Sequence, residues 1–116
     1  MSAVTCAQIR VETARADAFL AAQRHRFALE RHHANGTWWH GATVRDQAIS
    51  DLILIRQTAV AEHQRVLEMS RELPRELEPA ALDLAAKHRE IRLFVVEELR
   101  FWTTDPDNSD EMSVSI

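Results

Sequence analysis

The chain has 116 residues, with two glycines, three prolines, one cysteine and a formal net charge of −4. That length supports one modest core. So few turn-formers exclude an all-β fold, and a lone Cys6 excludes an intramolecular disulfide framework or a multi-cysteine zinc site. Four of the 18 acids, Asp105, Asp107, Asp110 and Glu111, follow residue 104, and the 14 that remain equal the 14 arginines and lysine. The body is therefore formally neutral and exerts little general pull on nucleic acid, so nucleic acid is not an expected partner. Thirteen of the 14 basic residues are arginine, which coding bias in a GC-rich genome accounts for.

The opening stretch, MSAVTCAQIRVETARAD, carries charges where a secretory leader needs an apolar run. No apolar run approaches a membrane span either. The expectation is a cytoplasmic bacterial protein with no membrane contact.

Helix 1 is predicted over about 5–33. Ile9, Thr13, Ala16, Leu20 and Phe27 recur at helical spacing and line one face. Asn35-Gly36 should stop it, because both residues accept positive φ at little cost. Between that stop and the next helix lies ANGTWWHGAT, residues 34 to 43, which sets Trp38 and Trp39 between the only two glycines. Thr43 with Asp46 then resembles a capping box.

Helix 2 is predicted over about 43–73. One stripe is Ala48, Leu52, Ile55, Ala59, Val66, Met69 and Leu73, and a second, beside it, is Ile49, Ile53, Val60 and Leu67. Such a wide apolar face predicts that helix 2 packs on two neighbours. Pro74 ends it, and PRELEP connects it to helix 3, with Pro79 in the first turn, where its missing N–H costs nothing.

Helix 3 is predicted over about 79–103, with the stripe Ala81, Leu84, His88, Ile91, Val95 and Trp102, and Leu99 beside it. Asp83–Lys87 and Glu97–Arg100 are spaced to pair on its outer face. Short connections between long helices imply antiparallel neighbours. The fold class is all-α, an up-down-up antiparallel three-helix bundle over 1–104, with a flexible acidic tail over 105–116.

Counting from the two turns predicts that Phe27, Ser50 and Trp102 share a layer. All three tryptophans then gather at one end, near His32, His33, His40, Arg45 and Arg100. Helix 3 is shorter than the hairpin it packs on, which leaves the upper hairpin without a third neighbour. Tryptophan and arginine are also enriched at binding hot spots. The leading expectation is a non-enzymatic interaction protein, a homodimer or the ligand of another protein. Its contact residues would be Trp38, Trp39, His40, Arg45, Arg100 and Trp102. The alternative is that the loop tryptophans close over Phe27 and Trp102 as a lid.

Trp39-His40-Gly41 has the W-x-G form found between the helices of the small secreted helical-hairpin proteins of specialised bacterial secretion systems, and its position near residue 40 resembles that family. The resemblance covers three residues and a helix-turn-helix outline, and it implies a two-helix hairpin. Those proteins also carry a tyrosine followed four residues later by an acid. Here the matching places hold Phe94 with Glu98 and Phe101 with Asp105, and a third amphipathic helix is added.

Six histidines raise a metal alternative. Level counting puts His63 and His88 in one layer, with Glu12 to Asp17 of helix 1 beside them. Two imidazoles with Glu12 or Asp17 could hold a divalent transition metal. Glu30-x-x-His33 is half of a diiron carboxylate motif, and no second half exists. A further alternative is a helical ribonuclease-type toxin, since Arg56 and His63 fit the loose R-x(4–6)-H spacing of certain helical ribonucleases. No glycine-rich phosphate loop or nucleophile arrangement occurs, so no cofactor is expected in the leading reading.

Overall fold

The computed structural model describes residues 5–36 and 42–104, with side chains over 5–32 and 44–104. It contains α1 (Cys6–Gly36), α2 (Ala42–Glu72), a 3-10 turn (Arg75–Leu77) and α3 (Glu78–Thr103). The predicted spans hold to within a few residues. The Trp38–Trp39 loop and the acidic tail lie outside the described residues.

The helix ends follow from local chemistry. At the start of α1 the Gln8 amide donates to Thr5 Oγ1 at 3.1 Å, and the Thr5 amide donates to Gln8 Oε1 at 2.8 Å. This reciprocal box satisfies two backbone donors that the first turn would otherwise leave open. At the other end α1 runs on through Gly36, and no described residue has a positive φ. The left-handed stop expected at Asn35-Gly36 is therefore not formed. Glycine costs a helix only about 1 kcal/mol, and residues 37–41, which follow, lie outside the described residues. The 3-10 turn closes through Leu77 N–H donating to Pro74 O at 3.0 Å, and Pro79 stands in the first turn of α3.

Cross-helix pairs fix the topology. Arg26 pairs with Asp51 and Arg65 with Glu12, so α1 and α2 run antiparallel. Asp17 pairs with Lys87 and Arg31 with Glu98, so α1 and α3 run parallel. The bundle is up-down-up.

The core is the three predicted stripes. Ile9, Ala16, Leu20 and Phe27 of α1, Ala48, Leu52, Ala59 and Val66 of α2, and Leu84, Ile91, Val95 and Trp102 of α3 are all buried. Thr13 keeps its place on the α1 stripe by donating its hydroxyl to Ile9 O at 3.0 Å.

The distribution of neighbours differs from the expectation. α3, not α2, is the helix with two partners: it packs extensively on α2, substantially on α1, and α1 and α2 meet only sparsely. Ala80, Ala85, Phe94 and Glu98 accordingly join the predicted α3 stripe as buried residues. On α2 the second stripe divides. Ile49 and Leu67 pack against the core, while Ile53 and Val60 stay exposed. Phe27 meets the ring of Phe94, at 6.0 Å between centroids, about two turns earlier on α3 than Trp102.

Lys87 also departs from its expected partner. It reaches across to Asp17 at 2.9 Å and along its helix to Glu90 at 3.3 Å, rather than to Asp83. No helix among the described residues is long and apolar enough to cross a membrane.

Candidate functional site

Because α1 and α2 splay apart over α3, an open groove of about 460 Å³ runs between them. Ala16 and Phe19 form one wall, Leu54, Ile55 and Ala59 the other, and His88 and Ile91 the floor. Phe19 is 41% exposed and Leu54 61%, so the two walls present apolar surface to water. Ion pairs bridge α1 to α2 toward each end: Arg26 with Asp51 on one side, Arg65 with Glu12 at 3.0 Å on the other. At 1.5 Å per helical residue, the stretch between those bridges is roughly 20 Å long.

The electrostatics of the groove follow from its depth. Burial holds the His88 imidazole below its ordinary value of 6.5; Glu62 opposes the shift, while Arg65 and His63 add to it. At neutral pH the floor is thus an uncharged ring among aliphatic side chains. The polar rim carries both signs, the acids Glu12 and Glu62 and the base Arg15. Glu62 and Glu12 already accept from Arg65, whereas Arg15 has no ion pair among the described residues.

A second, smaller cleft lies on the other flank of α2, against α3. It has a volume of about 190 Å³ and is lined by Arg56, His63, Arg89, Arg92, Leu93 and Val96. Arg92 Nη1 donates to His63 Nδ1 at 3.1 Å. An arginine has no acceptor to offer, so Nδ1 is the unprotonated nitrogen and the ring's proton is on Nε2.

The metal set predicted from level counting is divided between these places. His63 turns to the small cleft and Arg92, while His88 lies in the groove. Glu12 is engaged by Arg65, and Asp17 by Lys87 outside the groove. No three His, Cys, Asp or Glu side chains among the described residues converge as a metal site would require. The reason is rotational. His63 and His88 approach in level, but they leave their helices toward different sides. Glu30, the described half of the diiron-like pair, accepts from Arg26 at 3.2 Å.

The predicted contact residues also separate. Trp38, Trp39 and His40 lie outside the described residues. Trp102 is fully buried, and its indole Nε1 donates to Glu98 Oε2 at 3.1 Å. It is a core residue, which corrects its assignment to a contact surface. Arg100 is exposed on α3, and Arg45 is half-buried on α2, 3.9 Å from the Asp46 carboxylate. Phe94 and Glu98, the positions compared with the helical-hairpin family, are interior residues of α3.

Sequence reading missed the groove and two of the cleft arginines. Phe19 and Leu54 were legible as large apolar residues off the stripes. Arg89 and Arg92 share a helical face with Val96, but only the packing of α3 on α2 brings that face beside Arg56 and His63. No protein family, curated protein or solved structure matches the chain at a significant level.

Proposed function

We propose that this chain is a non-enzymatic interaction protein that self-associates, each copy seating apolar side chains of the other in the groove between α1 and α2. The observation that carries the reading is the groove itself, with Phe19 and Leu54 exposed on its two walls. Apolar surface of this kind gains free energy when it is taken from water, at roughly 25 cal/mol per Å². A contiguous apolar patch rimmed by polar groups is a usual mark of a contact site.

The rim argues for a second copy as the partner. In a two-fold dimer one patch must complement itself. Here each copy offers an unpaired Arg15 and the acids Glu12 and Glu62, so a face-to-face arrangement matches opposite charges across the axis. The two copies together would also supply the neighbour that α1 and α2 lack.

The test is sedimentation equilibrium of the full chain over a concentration series, with Phe19→Glu and Leu54→Glu compared with the parent. Both side chains are exposed, so the variants keep the helical circular dichroism of the parent. The expected result is a dimer for the parent and monomers for both variants. A parent that stays monomeric at every concentration, or variants that dimerise as tightly as the parent, overturns the proposal.

A further inference from the structure

We infer that the cleft between α2 and α3 binds the phosphate group of a phosphate monoester, held by Arg56, His63, Arg89 and Arg92. This inference is independent of the groove, which lies on the opposite flank of α2.

The first argument is the hydrogen-bonding character of the cleft. Its polar lining consists of three guanidinium groups and one imidazole, with no acid among the lining residues. A guanidinium only donates. The single acceptor in the set, His63 Nδ1, is already occupied by Arg92, and its remaining ring nitrogen presents N–H. Every polar group facing the cleft is therefore a donor, and the complementary ligand is rich in acceptors and carries no donor of its own.

The second argument is charge. Four basic groups at the other helix seams are neutralised across the interface: Arg26 by Asp51, Arg31 by Glu98, Arg65 by Glu12 and Lys87 by Asp17. Arg56, Arg89 and Arg92 have no acidic partner among the described residues. Three like charges gathered around one cleft repel one another, and a multiply charged anion relieves that repulsion where a single carboxylate relieves less of it. A phosphate monoester brings close to two negative charges at neutral pH and three acceptor oxygens. Arginine is also the side chain whose planar fork matches phosphate oxygens in pairs.

The third argument is the surroundings. The volume, about 190 Å³, is many times what one water needs, so a phosphate group fits. Leu93 and Val96 complete the lining, with Leu93 54% exposed. That apolar ledge gives the organic part of the ester a place to lie. The phosphate ester of a soluble metabolite and that of a lipid headgroup share this chemistry, and experiment distinguishes them.

The experiment uses the full chain at low salt. Inorganic phosphate, adenosine 5′-monophosphate and adenosine are titrated by calorimetry. Vesicles of phosphatidylcholine, with and without phosphatidic acid, are tested by co-sedimentation. Arg56→Gln and Arg89→Gln, singly and together, serve as variants; both residues are exposed, and helicity is checked by circular dichroism. The expected result is saturable binding of a phosphate-bearing probe, none of adenosine, and a loss of about tenfold or more per arginine removed. Binding of the nucleotide alone assigns a soluble ester, and binding only to the phosphatidic acid vesicles assigns a headgroup; either supports the inference. No saturable response to any phosphate probe, or equal binding by the parent and the double variant, overturns it.

Discussion

Arg31 of α1 grips Glu98 of α3 through both carboxylate oxygens, at 3.0 Å from Nε and 2.9 Å from Nη2, although Glu98 is buried among core residues. The Trp102 indole donates to the same carboxylate at 3.1 Å, and the Arg31 guanidinium lies 4.4 Å from the Phe101 ring centre. One charged pair thus ties α1 to α3 and orients two aromatic rings.

Removing one partner of such a pair leaves the other charge buried without compensation, which is the costly case. Arg31→Met is expected to lose about 2 kcal/mol, since the carboxylate keeps the indole and the arginine itself is partly exposed. Arg31→Met combined with Glu98→Gln should recover part of that loss, because the neutral amide leaves no charge stranded and its oxygen can still accept from the indole. Urea denaturation at neutral pH measures both. A double variant less stable than Arg31→Met alone would show that the carboxylate acts through something other than this pair.

Phe27 and Phe94 set the register of α1 on α3, their rings packed at a 60° tilt. Phe27 is fully buried, so Phe27→Ala is expected to cost about 3–5 kcal/mol, a large part of the stability of a domain this size. Leu54→Ala, at an exposed groove wall, should change stability by no more than about 0.5 kcal/mol. Chemical denaturation of the two variants side by side checks the contrast. Similar losses in both would place Leu54 in the core and close the groove.

The difference between these two residues also marks what the sequence could reveal. Ile9, Leu20, Leu52, Leu84 and Val95 were legible because each recurs with helical period on one face of its own helix. Phe94, Ala80 and Ala85 were not. Their burial depends on α3 serving both neighbours, and periodicity within one helix does not say how many helices will cover it. The wide apolar face of α2 pointed to the wrong helix for the same reason: Ile53 and Val60 satisfy the pattern yet stay exposed. Level counting placed α1 against α2 correctly, as the Arg26–Asp51 and Glu12–Arg65 pairs attest. It could not give the direction in which His63 and His88 leave their helices, and that direction is what divides the metal set.

The acid side of the stability profile is expected to fall in two steps. Burial depresses the folded-state pKa of His88 below 6.5, so the unfolded chain binds that proton more tightly. The contribution is complete above 6.5 and is lost as pH falls below it. Asp51 follows at lower pH. The hydrogen bond from Arg26, then that from Gln47, holds its carboxyl below 3.8, so its contribution is present above that value and lost as pH drops further. In His88→Leu the decline between about pH 7 and pH 5 should shrink while the later one remains. Urea midpoints across a pH series measure this. An unchanged profile in His88→Leu would mean that the imidazole titrates freely in the groove.

Sparse contact between α1 and α2 has a dynamic consequence. α3 is held from two sides, whereas α1 is held mainly by α3, with the Arg65–Glu12 and Arg26–Asp51 pairs as its links to α2. Regions with fewer buried contacts open at lower free energy than the whole molecule. Native-state hydrogen exchange should therefore show the amides of α1 between Glu12 and Arg26 exchanging through a smaller opening than those of α3 between Leu84 and Val95. Arg65→Ala removes one link at a partly exposed site, so it should lower the α1 opening by about 0.5 kcal/mol and leave the protection of α3 nearly unchanged. Equal opening free energies in α1 and α3, shifted together by Arg65→Ala, would instead mean that the three helices unfold as a single unit and that the splayed seam carries no local freedom.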